Sequence, residues 1–177
     1  MKGYSSLFSN YSSLNSSRSS SPLNGQSQPY QEYYSVYSKM MEKDLKIDVY
    51  NPFDGGYIKN PTAKTLDSIY DGTQIVGFKG QISIPYVITT DLTVIIGKRN
   101  GFGRSAGAKP TPHPTLIGGQ DPKVRMAGML TIKDGKILSY NNISGHYRPN
   151  IESMKWADKA FEKYPKHKNF DGGKKHE

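Results

Sequence analysis

Apolar positions in this chain follow two rhythms. In IVGFKGQISIPYVITTDLTVIIGK (75–98) and VRMAGMLTIKDGKILSYNNI (124–143) they form short apolar runs broken by turn residues, the mark of strands. The first stretch predicts up to three strands, with Thr90-Asp91 as a turn. The second predicts a hairpin, because Asp134-Gly135 is the favoured two-residue turn between apolar runs. Elsewhere the recurrence is helical. Tyr30, Tyr33, Tyr34, Tyr37, Met40, Met41 and Leu45 predict an amphipathic helix from Pro29, with Glu32 early and Lys39, Lys43 and Lys46 late. Asn60-Pro61 predicts a short helix through Leu66, Ile69 and Tyr70, closed by Asp71-Gly72. Asn150 is placed to cap a last helix whose Ile151, Met154, Ala157, Phe161 and Tyr164 share a face, with Trp156 flanking it. Two helices, about five strands and a final helix read as α+β: an antiparallel sheet with N-terminal and C-terminal helices packed on it. The expected core is Val87, Val94, Ile96, Ala127, Leu130, Ile132, Leu138, Trp156 and Phe161.

Composition adds the borders. Residues 1–28 are rich in Ser, with scattered Tyr4, Leu7, Phe8, Tyr11 and Leu14, too little apolar surface to offset ordering entropy. They read as a disordered-type arm, residues 29–165 as one domain, and 166–177 as a basic, frayed tail. The 177 residues include no cysteine, which removes disulfides and cysteine-based zinc sites; no metal site is expected. No apolar run approaches the ~20 residues of a bilayer span, and the first residues lack a secretory apolar core. Lys and Arg outnumber Asp and Glu by 24 to 15, a formal charge of +9. That balance favours acidic partners such as nucleic acid, anionic lipid or an acidic protein polymer.

Two groups of residues carry candidate chemistry. Residues 97–114, GKRNGFGRSAGAKPTPHP, combine Lys98, Arg99, Arg104 and Lys109 with Phe102 among glycines and prolines. Glycines admit an anion to the backbone and the cations supply charge, while Phe102 suits stacking on RNA. A phosphate-binding P-loop is excluded, since no Gly-Lys-Ser/Thr opens a helix. A long solvated loop is the bland alternative. The phenol rims of Tyr30, Tyr33, Tyr34 and Tyr37 offer a second docking surface. For catalysis the candidates are His113, Ser144, His146, Tyr147 and Arg148: His113 and His146 are expected to meet if the strand at 124–133 brings its flanks together, and the two histidines with Tyr147 and Arg148 could then move protons or orient phosphate. The nearby acids are Asp121, Asp134 and Glu152, with no paired carboxylates for glycoside chemistry. Ser-Gly-His is too tight a spacing for Ser144 and His146 to form a nucleophile and base, and the segment also reads as a plain strand–helix turn.

The residues His113-Pro-Thr-Leu-Ile-Gly-Gly, Ala127-Gly128-Met-Leu, the Asp-Gly hairpin and Ser144-Gly-His-Tyr-Arg-Pro149 together resemble a block of plant IQ-motif calmodulin-binding proteins. Similar blocks occur in C-terminal regions of bacterial secreted toxins and effectors. The resemblance covers roughly residues 84–162. It implies an interaction module on the plant side and an enzyme on the toxin side. There is no Ile-Gln-x-x-x-Arg-Gly motif here, so calmodulin binding does not carry over, and Pro114 and Thr115 stand where the family has serines.

The leading expectation is a non-enzymatic basic adaptor, intracellular and cytoplasmic or cytoskeletal. It docks on an acidic polymer, a microtubule or other filament or a nucleic acid, through Lys98, Arg99, Phe102, Arg104 and Lys109, while its arm threads along a partner. It needs no cofactor. The alternative is an effector secreted into a host cell, with a group-transfer pocket of His113, His146, Tyr147 and Arg148. It would use NAD if the transfer is of ADP-ribose, though no Glu-x-Glu is present. A third reading is an RNA-binding module.

Overall fold

Asp134 and Gly135 both adopt positive φ, 52° and 80°, the backbone of the tight primed turn that matches strand twist. They join β6 (Met126–Lys133) to β7 (Lys136–Tyr140) in a computed structural model that describes residues 27–171. Upstream lie helix α1 (Ser38–Lys46), a small hairpin of β1 (Tyr50–Asn51) and β2 (Gly56–Tyr57), then β3 (Lys64–Thr65), β4 (Gln81–Ile88) and β5 (Val94–Ile96). Helix α2 (Met154–Ala160) follows the sheet. The main sheet has five antiparallel strands in the order β3-β5-β4-β6-β7. The fold is therefore the expected α+β arrangement around an antiparallel sheet.

Both faces of the sheet are covered. Strand side chains alternate between faces, and Ile84, Tyr86, Ile88, Leu130 and Ile132 pack against Met154, Ala157, Phe161 and Tyr164 around α2. Val87 and Ala127 point the other way, onto Tyr34, Val36, Val49, Tyr57, Leu116 and Tyr147, with Met40 and Met41 of α1 alongside. Val87, Val94, Ile96, Ala127, Leu130, Ile132 and Phe161 are buried as the pattern predicts.

Leu138 and Trp156 are only half-buried. A register shift between Thr131 and Ile132 pairs Ile132 with Ile137 and Thr131 with Ser139. Leu138 becomes the unpaired residue, and Ile137 takes its place in the core.

The N-terminal helix is shorter than the tyrosine spacing predicts. Residues 30–37 are not helical; Tyr34 exchanges backbone hydrogen bonds with Val124, 2.7 and 3.1 Å. Here Tyr34 and Val36 are buried while Tyr33 and Ser35 are exposed, a period of two that overrides the helical spacing. In α1 the buried residue is Asp44, and Leu45 is exposed.

The predicted helix at 61–70 is instead β3 and one 3-10 turn, Leu66–Ile69, capped by the Thr65 hydroxyl. Asn60 uses its side chain to accept from Thr62 N at 2.8 Å, closing a local turn. Two strands occupy residues 75–98, within the three the pattern allows, with the expected turn between them. Asn150 accepts from Glu152 N at 2.9 Å and opens a 3-10 turn that runs into α2.

The tail from 166 does not fray at its start. Ile137 N bonds Pro165 O, His167 N bonds Ile137 O, and Phe170 packs on Tyr140. At the other end Gln28 N donates to Arg148 O at 2.7 Å. The rest of the arm, 1–26, and the end of the tail, 172–177, lie outside the described residues.

Candidate functional site

The loop after β7 doubles back over the sheet, and its backbone is held by amide side chains. Asn141 Oδ1 accepts from Met129 N and Ile143 N, both at 2.9 Å, and Asn142 Nδ2 donates to Pro149 O at 3.0 Å. This places Ser144 against His113, which stands in a 3-10 turn after Pro112. His113 Nε2 lies 2.8 Å from Gly128 O, and a carbonyl only accepts, so Nε2 carries the proton. Nδ1 is then the acceptor for the Ser144 hydroxyl at 3.2 Å. The same hydroxyl oxygen accepts from Tyr147 N at 3.3 Å. Burial pushes the His113 imidazole down to about 4, against the pull of the Gly128 carbonyl, with His146 and Arg99 lowering it further. It is therefore neutral at pH 7.

His146 turns elsewhere. Its Nε2 is 2.9 Å from Asp44 Oδ2, and Tyr57 OH donates to that same oxygen at 2.7 Å. Burial, then the Asp44 bond, pushes the Tyr57 phenol far above its usual range. Tyr147 is buried and donates to Pro122 O, and its phenol too is pushed up by burial. Arg148 has a left-handed backbone at φ 47°. Its Nε donates to Gly145 O at 3.1 Å and its guanidinium stacks 4.0 Å from the Tyr37 ring centre. His113 and His146, expected to meet, hold different partners: His113 bonds Ser144, while His146 closes on Asp44 of α1. The acid at His146 is Asp44 rather than Asp121, Asp134 or Glu152. Sequence reasoning missed Asp44 and Tyr57, since an aspartate among the charges of MEKDLK carries no local sign of burial.

The four tyrosines divide. Tyr34 is fully buried, its hydroxyl 2.7 Å from Ser153 Oγ, so its ring is not a docking surface. Tyr37 lies under Arg148. Tyr30 and Tyr33 stay exposed, each beside a cation, Lys155 and Arg125. Arg125 is sandwiched between Tyr33 and Trp156, ring centres 4.7 and 4.3 Å away, with Nε on Thr90 O at 2.9 Å.

The basic loop is anchored at its neck. Asn60 Nδ2 donates to Lys98 O at 2.8 Å, Thr111 Oγ1 to Arg99 O at 2.7 Å, and Lys98 N to Thr62 Oγ1 at 2.8 Å. Gly101 sits so close to Asn60 that a Cβ would come 2.1 Å from its Oδ1. The side chains of Lys98, Arg99, Phe102, Arg104 and Lys109 are all exposed. Lys109 Nζ reaches the backbone carbonyl of Asp48 at 3.1 Å, and Arg99 Nη2 is 3.5 Å from Met129 Sδ. The ion pairs among the described residues are Lys123–Asp121, His146–Asp44 and Lys163–Asp67, none of them in this loop. A cleft of about 520 Å³ opens between the loop tip and Ile58.

Among the described residues no group of three or more His, Asp or Glu is arranged to hold a metal ion, and no helix is long and apolar enough to cross a membrane. No known protein family, curated protein or solved structure matches the chain.

Proposed function

We infer that this protein is a non-enzymatic basic adaptor whose 97–114 loop docks on an acidic protein surface, such as that of a cytoskeletal filament. One observation carries the reading. Lys98, Arg99, Arg104 and Lys109 project from a neck tied by Asn60, Thr62 and Thr111, and no carboxylate among the described residues pairs with any of them. Such cations keep their attraction for a partner, and the tied backbone lowers the ordering cost of binding. The +9 charge adds long-range steering. On this reading His113, His146, Tyr147 and Arg148 are structural, since each already holds another part of the chain.

The test is co-sedimentation with polymerised tubulin across a salt series, with a single-stranded polynucleotide in parallel. Binding should fall steeply between roughly 50 and 300 mM salt. Lys98→Glu, Arg99→Glu and Arg104→Glu together should weaken it at least about tenfold, a loss of ~1.4 kcal/mol. Salt-independent binding would overturn the electrostatic reading, and tighter binding to the polynucleotide would replace the filament with RNA or DNA.

The effector reading draws on the Ser144 hydroxyl aligned on a neutral imidazole nitrogen, the arrangement that activates a serine. It requires Ser144, now 6% exposed, to open to substrate.

A further inference from the structure

Charge alone does not account for the shape of the loop tip. The cleft there is walled by Phe102, Ala106, Gly107 and Ala108, floored by Ile58 and edged by Ser105 and Lys109. Most of that lining is carbon, and none of it is acidic. Ile58 directly follows β2, and its N–H bonds Val49 O at 3.1 Å, so the floor belongs to the folded body. The walls are shaped by backbone only glycine adopts easily: Gly103 and Gly107 have φ of 91° and 84°, with open space around each. Phe102, a large hydrophobic side chain, is left 46% exposed at this wall.

We propose that this cleft takes one apolar side chain of an acidic peptide, so that the partner is recognised as a hydrophobic anchor flanked by carboxylates. The proposal rests on the acidic-partner reading above and makes it specific. The argument for this occupant is complementarity. Lys109 edges the cleft with its ammonium on a backbone carbonyl rather than a carboxylate, which leaves its charge unneutralised. Arg104, two residues from Phe102 and exposed, adds a second cation on the same tip. Carboxylates on either side of an anchor meet these cations, while the anchor covers Phe102, Ala106 and Ile58. A uniformly acidic chain fills the electrostatic requirement and leaves the carbon exposed. Hot spots of this form, an apolar anchor in a pocket with a charged rim, concentrate binding energy.

Two fluorescent twelve-residue peptides separate charge from anchor: one of glutamates alone, one with a single central phenylalanine. Anisotropy titrations use the full chain, Ala106→Trp to fill the cleft, and Phe102→Ala to remove a wall. The phenylalanine peptide should bind the unchanged protein at least about tenfold tighter than the all-glutamate peptide. Ala106→Trp and Phe102→Ala should each erase most of that preference, so that on either variant the phenylalanine peptide binds no more than about twofold tighter than the all-glutamate peptide. Equal affinity of the two peptides for the unchanged protein overturns this proposal alone. A preference that survives both variants overturns it too, by placing the anchor elsewhere. If neither peptide binds, or both bind independently of salt, the acidic-partner reading falls and this proposal with it.

Discussion

His146 and Asp44 lie 102 residues apart in the chain and 2.9 Å apart in space, His146 Nε2 against Asp44 Oδ2. Tyr57 completes the group from β2 through the same carboxylate oxygen. The carboxylate is thus the pin that joins α1, the small hairpin and the loop after β7. Asp44 side-chain exposure is 6% and that of His146 13%, so water offers little replacement for a lost partner. Asp44→Ala strands two buried polar groups and should cost ~1–3 kcal/mol in urea unfolding. In a double-mutant cycle with His146→Ala, the two changes should couple by at least ~0.5 kcal/mol. Additivity within ~0.3 kcal/mol would show that the contact contributes nothing of its own.

Acid should weaken the fold through His113. Its folded pKa is down at about 4 against an ordinary 6.5. Between those values the unfolded chain binds a proton that the folded one refuses, so stability falls as pH drops from 6.5 toward 4 and levels off below. The loss is on the order of 3 kcal/mol over the window. Protonation would also turn Nδ1 from acceptor to donor and break its present role toward Ser144. The lowered carboxyls of Asp67, Asp71 and Asp91 add their loss only further down, below their ordinary 3.8. Urea titrations at about pH 7 and about pH 4.5 should show a steep difference for the unchanged protein and a shallow one for His113→Gln. Equal slopes would locate the acid sensitivity elsewhere.

Gly128 is irreplaceable on steric grounds. A Cβ there would stand 1.9 Å from Asn141 O, a backbone atom that cannot swing aside. Gly128 also supplies the carbonyl for His113. Gly128→Ala should destabilise by roughly 3 kcal/mol or more, or prevent folding. A soluble variant with near-normal melting temperature would mean that β6 and residue 141 can move apart.

In the centre of the same strand, Leu130 is fully buried in the α2-side cluster. Leu130→Ala should cost ~2–5 kcal/mol as a cavity. A loss below about 0.5 kcal/mol in calorimetry would mean that the hairpin presents its other face to the core.

Ser144→Ala separates adaptor from effector. On the adaptor reading the wild type is harmless when expressed in a host cell, and the variant loses about 1 kcal/mol of stability with the hydrogen bonds of its hydroxyl. Host growth inhibited by the wild type and restored by Ser144→Ala at unchanged melting temperature would sink the adaptor.

Elements whose signal is local are legible in the sequence itself. Asp134-Gly135 specifies its turn whatever surrounds it, and the apolar runs on either side of it, like the β-branched run in 75–98, make strands. The stripe of Met154, Ala157, Phe161 and Tyr164 finds its partner because a helix with one apolar face must bury it. The tyrosines at 30, 33, 34 and 37 mislead, because i, i+3, i+4 and i+7 spacing and alternate burial overlap at Tyr34. Pairing with Val124, far along the chain, settles which period applies.

The candidate site divides in the same way. That 97–114 is a cationic, glycine-rich loop follows from its composition alone, as does the α+β class, because charge and periodicity are properties of short windows. That its neck is tied by Asn60 and Thr111, that a cleft floored by Ile58 lies beneath it, and that Asp44 is buried under His146 and Tyr57 were decided only by the tertiary structure. Most of these contacts join segments tens of residues apart. A polar residue shows no sign of which distant partner will satisfy it until packing removes the water that would otherwise do so.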